Sequence, residues 1–260
     1  MIHQILTNEV AVWGVTLVDD ELFALLERTE DQVAVYSTND YQLLRHLNVP
    51  DYDTVYKGDI ASCVAYRCLY MSNFRKRCIH KYALSSSTIS NQPVPGTPVG
   101  LSFSPNGTLL VTCHHPMSLL ELSVESGQCV REIALRSDMT PWHGIQLANG
   151  QFAVCHGTGL AGLHEVRIIN DDGKEVGCYG GISGSINGYL DRPCHLAVDK
   201  NSNVIFVADS GNKRVVSISS TLAFVSNITE GLSAPNRLYV EDKARRLYVC
   251  NNHRVAVFQL

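Results

Sequence analysis

Three histidines adjoin short apolar runs in the C-terminal half of the sequence. They are His143 in PWHGIQL, His156 in FAVCHG and His195 in RPCHLAV. Three imidazoles that converge on one point can hold a zinc ion and leave a fourth position open for chemistry. Arg237, in the later run PNRLYV, could then bind an anionic group of a substrate. Whether these side chains converge depends on the elements that carry them.

A basic segment offers a different chemistry. Phe74, Arg75, Lys76 and Arg77 follow one another in SNFRKRC. Arginine and aromatic side chains can stack on the bases of single-stranded RNA. A solvated loop is the simpler interpretation of the same segment. The net charge of −4 argues against a surface that attracts nucleic acid everywhere, although it leaves room for a local basic face.

The runs that carry these residues recur along the chain. The segment RPCHLAVDKNSNVIFVADSGNKRVVSIS (192–219) resembles APNRLYVEDKARRLYVCNNHRVAVFQL (234–260). TPWHGIQLANGQFAVCHG (140–157) and TPVGLSFSPNGTLLVTCHH (97–115) match its first half, and weaker copies cover 60–82 and 12–36. This gives six copies of roughly 40 to 50 residues, a period typical of propellers and other repeat folds.

Each copy predicts three short strands separated by turns. Alternating apolar residues and Asn-Gly, Asn-Ser or Asp-Asp turns indicate β-hairpins, and no window shows a helical period. LLRHLNV, CVREIAL, EVGCYGG and LAFVSNI lie between copies and predict an outer fourth strand. We therefore predict an all-β, six-bladed β-propeller with four-stranded antiparallel blades, as a single domain over 1–260. The last copy has only three strands, so we expect residues near 2–7 to complete that blade.

The copies resemble NHL repeats, the propeller blades at the C-terminus of TRIM-NHL proteins. LAVDKNSNVIFVADSGNKRVV and LYVEDKARRLYVCNNHRVAVF carry this resemblance most clearly. It implies the fold, but NHL propellers perform several unrelated functions. Some TRIM-NHL propellers bind single-stranded RNA on one face. Nothing in this sequence resembles the RING, B-box or coiled-coil segments of a TRIM ligase.

The repeat alignment also predicts a structural ion pair. Asp209 ends the second strand of its copy, and Arg214 follows the turn. Arg77 and Arg254 align with Arg214 in this comparison. We expect these residues to tie the second and third strands of a blade together rather than to take part in catalysis.

In a propeller, the connections that lead into the first strand and out of the second strand of each blade share one face. We call it the top face, and it surrounds the mouth of the central channel. The candidate binding residues on it are Phe74, Arg75, Lys76, Trp142, His143, His156, His195, Arg237 and Asn251.

We prefer a non-enzymatic interaction module that binds a protein or single-stranded RNA through the top face, with no cofactor. Histidines at strand ends can simply hydrogen bond backbone carbonyls, and no motif pairs a nucleophile with a base. The alternative is a metal-dependent lyase or hydrolase with zinc on His143, His156 and His195.

The composition indicates the class of protein and its compartment. Apolar residues make up 45% and charged residues 18% of 260 residues, and no run is long enough to span a membrane. The start, MIHQILTNEV, shows no signal peptide pattern. The nine cysteines form no CxxC motif and lie mostly in apolar runs, as expected for free thiols in a reducing compartment. We expect a cytoplasmic, monomeric domain without membrane contact.

Overall fold

In the computed structural model the residues described are 1–7, 10–27, 32–50, 52, 58–138, 140–157 and 162–260. Strands in these ranges form six separate four-stranded antiparallel sheets, the blades of a β-propeller. The helical element there is one 3₁₀ turn at Ser210–Asn212. No helix in the described ranges has the length and apolar character needed to cross a membrane. The predicted fold class is confirmed.

The blades follow one another along the chain. Blade 1 contains β2 (Val12–Val18), β3 (Glu21–Leu26), β4 (Val33–Ser37) and β5 (Leu43–Leu47), and blade 2 contains β6 (Ile60–Cys63), β7 (Cys68–Asn73), β8 (Cys78–Ala83) and β9 (Thr88–Pro93). Blade 3 contains β10 (Thr97–Phe103), β11 (Leu109–His114), β12 (Ser118–Leu122) and β13 (Cys129–Ala134), and blade 4 contains β14 (Pro141–Gln146), β15 (Phe152–His156), β16 (Leu163–Ile169) and β17 (Glu175–Ile182). Blade 5 contains β18 (Pro193–Asp199), β19 (Val204–Asp209), β20 (Arg214–Ile218) and β21 (Phe224–Ile228).

Blade 6 joins the two ends of the chain. It contains β22 (Pro235–Glu241), β23 (Arg246–Asn251), β24 (Arg254–Gln259) and, as its outer strand, β1 (His3–Leu6). The β1–β24 register runs from His3 opposite Val257 to Leu6 opposite Arg254. The prediction that residues near 2–7 complete the last blade is thus confirmed.

Apolar side chains hold neighbouring blades together. One cluster joins blade 6 to blade 1 through Tyr248, Val255, Val15 and Leu22. The middle strands are buried almost throughout, whereas the outer strand β21 is largely exposed. Burying one such large apolar side chain contributes about 1.5–3 kcal/mol. The packing between blades is what fixes the position of each blade's inner strand at the channel.

The first strand of five blades carries a register shift near its start. The shifts lie between Val12 and Gly14, Pro98 and Gly100, Pro141 and His143, Pro193 and His195, and Pro235 and Arg237. A bulge of this kind inserts one residue and re-aims its side chain. The inserted residues are Trp13, Val99, Trp142, Cys194 and Asn236. This repeated irregularity decides which side chains reach the channel mouth.

One predicted alignment is wrong by one residue. Cys78 lies opposite Asn73 in blade 2, in the position that Arg214 holds opposite Asp209 in blade 5. Arg77 instead adopts φ +49, like Lys213 at φ +56, so it occupies the turn position before the strand. Arg77 is therefore not the equivalent of Arg214. Sequence comparison could not see this, because a Lys-Arg pair fits either register.

Candidate functional site

A cavity of about 330 Å³ opens at the channel mouth. Four inserted bulge residues line it, from blades 1, 4, 5 and 6: Trp13, Trp142, Cys194 and Asn236. Arg192 and Arg237 also line it, and no carboxylate does so within the described ranges. We call this cavity the mouth pocket. It offers aromatic surface and positive charge together.

Arg237 connects the mouth pocket to the interior. Its side chain is only 5% exposed, and its Nη1 donates to the Asn236 carbonyl at 2.8 Å. Its Nε lies 3.3 Å from Oδ1 of Asp59, but in the described structure that N–H makes no well-directed hydrogen bond. Asn236 donates through Nδ2 to the Val12 carbonyl at 3.2 Å, while its buried Oδ1 has no hydrogen-bond partner.

Asp59 is the residue that sequence reasoning missed. It precedes β6 of blade 2, is 1% exposed, and accepts hydrogen bonds from the Leu101 amide at 2.8 Å and the Ile60 amide at 3.0 Å. Burial alone would raise the pKa of this carboxyl. The hydrogen bond that His195 donates and the charge of the Arg237 guanidinium outweigh that effect and hold the pKa well below its usual range. Asp59 is therefore a buried carboxylate that balances the charge of Arg237.

His143 and His195 stack beside Asp59, with ring centroids 3.6 Å apart. The Nδ1 atom of His143 accepts from the Leu196 amide at 3.4 Å, and its Nε2 donates to the Leu101 carbonyl at 3.0 Å. The Nδ1 atom of His195 accepts from the Leu238 amide at 3.3 Å, and its Nε2 donates to Asp59 Oδ2 at 3.4 Å. Each imidazole thus ties its blade to the next one.

Both imidazoles are neutral in this setting. Burial, followed by the neighbouring His195, lowers the pKa of His143 to about 3. Burial also lowers the pKa of His195, although Asp59 opposes that effect. A neutral imidazole whose Nδ1 accepts an amide N–H must carry its own proton on Nε2. The hydrogen bonds therefore assign one tautomer to both rings.

This tautomer bears on metal binding. Asp59, His143 and His195 form the group of described residues whose ligand atoms lie within 4.8 Å of one another, and His156 is not a member. A zinc ligand must offer a lone pair, and Nε2–H of either ring has none to offer. The geometry favours a closed hydrogen-bonded network over a metal centre at this position.

His156 lies apart, at the end of β15. It is 2% exposed, and neither ring nitrogen has a hydrogen-bond partner in the described structure. Burial and then the charge of Arg167 lower its pKa to about 3. The register places Glu165 opposite His156. The predicted trio of histidines is thus divided between the channel network and a polar cluster within blade 4.

The other predicted residues fall into two groups. Asn251 is fully buried, and its Oδ1 accepts from the Ser233 and Ala234 amides at 2.9 and 2.8 Å, so it fastens the connection into blade 6. The turn that carries Phe74, Arg75, Lys76 and Arg77 follows β7 of blade 2. Phe74 is half-buried there and the three basic residues are exposed, and the described lining of the mouth pocket includes none of them.

The Asp209 carboxylate accepts from Arg214 Nε at 2.7 Å, and both side chains are buried. Arg214 also donates to the carbonyls of Ser185 and Tyr189, which hold the connection between blades 4 and 5. Arg254 is the first residue of β24, and its side chain contacts Gln4 of β1. With the Gln4 amide oriented so that its oxygen points to Arg254, that oxygen accepts a hydrogen bond from Arg254 Nε at 3.0 Å. Arg254 thereby ties β1 to β24.

Comparison with known proteins supports the fold. No family model and no curated protein matches the sequence. Among solved structures, a chain of the Kuenenia stuttgartiensis hydrazine synthase is similar, with 14% identity, a TM-score of 0.67, and 98% of this chain and 96% of that chain covered. Virginiamycin B lyase from Staphylococcus aureus has 11% identity and a TM-score of 0.66, with coverage of 99% and 88%. A streptogramin B lyase has 13% identity and a TM-score of 0.70, with coverage of 99% and 87%.

At these identities the likeness concerns the propeller fold alone. The NHL resemblance remains a prediction.

Proposed function

We propose that this chain is a non-enzymatic interaction module that binds a partner protein through the mouth pocket on its top face. The observation that carries the proposal is the lining of that pocket. Two tryptophans and two arginines meet there in a concave site. Aromatic and arginine side chains in pockets are the groups that dominate binding energy in protein interfaces.

A protein partner is favoured over single-stranded RNA. Proteins that bind single-stranded RNA use a basic groove that follows the RNA backbone, with aromatic residues along the groove. The exposed basic residues of the Phe74–Arg77 turn belong to blade 2, whereas the described pocket lining comes from blades 1, 4, 5 and 6. The described lining of the mouth pocket includes none of these basic residues.

A metal-dependent lyase or hydrolase is the second candidate. It draws support from the proximity of Asp59, His143 and His195 and from the lyases among the similar structures. The tautomers of the two imidazoles argue against it. We therefore place the interaction module first.

The proposal is tested by partner capture from RNase-treated extract. We expect Arg192→Glu to abolish capture, because it reverses a charge in the pocket, while Lys174→Glu leaves capture unchanged. Lys174 is exposed in the turn between β16 and β17, at the opposite end of blade 4. Capture that survives Arg192→Glu but fails with Arg75→Glu, or that RNase abolishes, would instead indicate RNA binding through the blade 2 turn.

A further inference from the structure

We propose that the mouth pocket recognises the free C-terminal residue of its partner: the carboxylate, the amide N–H and an apolar side chain of that residue. This inference rests on the proposed interaction function and specifies the chemistry of the ligand. The pocket offers one feature for each of the three groups.

Positive charge in the mouth pocket selects a carboxylate. Arg192 is 60% exposed and Arg237 forms the inner wall, and both line the cavity. Asp59 balances the charge of Arg237, and the Nε atom of Arg192 lies 4.0 Å from Asp191 Oδ1, which is at the outer limit of an ion pair. Arg192 thus remains the accessible cation, and a guanidinium can bind a carboxylate through two parallel hydrogen bonds.

Asn236 selects a hydrogen-bond donor. Asn236 lines the pocket, and its buried Oδ1 has no partner in the described structure, although its Nδ2 is satisfied by the Val12 carbonyl. A buried acceptor left unpaired is unfavourable, so a ligand that supplies a donor there gains affinity. Phosphate and other simple anions carry no N–H next to their charge. A C-terminal residue carries its amide N–H two bonds from the carboxylate carbon.

The tryptophans select the side chain. Trp13 and Trp142 come from blades 1 and 4, three positions apart in a ring of six, so they approach the mouth pocket from opposite sides. Their rings offer apolar walls to whatever enters between them. A cavity of about 330 Å³ is in the range that holds a small ligand. We expect a large apolar residue at the partner's C-terminus.

The chain provides its own reporter for a direct test. Trp13 and Trp142 are the two tryptophans of the sequence, and both line the pocket. Tryptophan fluorescence can be titrated with N-acetyl-leucine and with N-acetyl-leucine amide, which differ only in whether the terminal group is a charged carboxylate or a neutral carboxamide. We expect saturable binding of the acid and about tenfold weaker binding of the amide, since a charge-assisted pair is lost. N-acetylglycine should also bind about tenfold more weakly than N-acetyl-leucine.

Two pocket variants and one control variant assign the effect to the pocket. Arg192→Gln should remove the preference for acid over amide, whereas Lys174→Gln, which deletes one charge at the opposite end of blade 4, should retain it. Asn236→Asp should weaken binding of the acid about tenfold, because it places a second carboxylate beside the first. Circular dichroism checks that each variant is folded.

Equal binding of acid and amide would overturn the C-terminal assignment. So would stronger binding of uridine 5′-monophosphate than of N-acetyl-leucine. If no N-acetyl amino acid binds while protein capture still depends on Arg192, the assignment fails and the interaction function stands. If capture is also independent of Arg192, both fail.

Discussion

Asp59 and Arg237 set the electrostatics beneath the mouth pocket. Both are almost fully buried, and each provides the opposite charge that the other needs in a medium of low dielectric constant. Burying such a pair brings little net stability, but breaking it is costly. The pair therefore holds Arg237 in place at the inner wall of the pocket.

Removing one member of this pair should destabilise the fold strongly. We expect Asp59→Ala to lower the free energy of unfolding by about 3–5 kcal/mol, since Arg237 would be left as an uncompensated buried charge. Urea denaturation followed by circular dichroism measures the loss. The double variant Asp59→Ala, Arg237→Met should lose less than the sum of the single variants. Additive losses would show that the two charges do not interact.

The buried histidines predict an acid-sensitive fold. The pKa values of His143 and His156 are lowered to about 3, and that of His195 is lowered as well. An unfolded histidine takes up a proton below about pH 6.5. The unfolded state then binds more protons than the folded state, so stability falls as the pH drops from about 6.5 toward 3. Asp59, whose pKa is lowered, adds stability that is present above about pH 4 and is lost below it.

A series of urea titrations between pH 7 and pH 4 measures this dependence. Each histidine that is neutral in the fold and protonated in the unfolded chain contributes about 1.4 kcal/mol per pH unit. His156→Leu should therefore reduce the slope near pH 5 by about that amount, whatever it does to stability at pH 7. An unchanged slope would mean that His156 is protonated in the folded protein.

The imidazole tautomers predict the metal content. Elemental analysis of the untagged protein should find clearly substoichiometric zinc, because Nε2 of both rings carries a proton in the network. The double variant His143→Ala, His195→Ala serves as the comparison. Stoichiometric zinc that disappears in this variant, without unfolding, would restore the metal-dependent enzyme as the leading candidate.

At the scale of elements, β1 closes the ring. Ile5 is 3% exposed within blade 6, whereas Ile2, just before β1, is 52% exposed. We expect Ile5→Ala to lower the free energy of unfolding by about 2–5 kcal/mol and Ile2→Ala to change it by less than about 0.5 kcal/mol. Thermal and urea denaturation of the two variants provide the measurement. Equal effects would mean that β1 does not hold the last blade closed in solution.

The bulges explain which part of the site could be read from the sequence. Trp142, His143, His195 and Arg237 were assigned to the top face because the repeat shows where each inner strand begins. The bulge separates neighbours: Trp142 lines the pocket, while His143 turns into the buried network. Local sequence does not reveal this division, since a one-residue insertion leaves the apolar pattern nearly intact. The misplaced Arg77 has a different origin, since blade 2 has no such bulge in its described strand pairs and a Lys-Arg pair fits either register of the turn.

At the scale of the whole molecule, the ring brings together residues that are remote in sequence. Asp59 and His195 are 136 residues apart, and their side chains meet because blades 2 and 5 face each other across the channel. Asp59 carries no local signal beyond a Gly-Asp pair before a weak strand. The mouth pocket likewise takes its walls from blades 1, 4, 5 and 6.

The sequence by itself determined the number of blades, the strands of each blade and the closure of the ring by the N-terminal strand. These features follow from local periodicity and from a repeat, both of which are properties of short segments. Only the tertiary structure decided that His143 and His195 join Asp59, that His156 stays apart, and that two tryptophans share a pocket with Arg192 and Arg237. Those outcomes depend on side-chain direction across a closed ring, where a rotation of one blade end or a shift of one residue changes every contact.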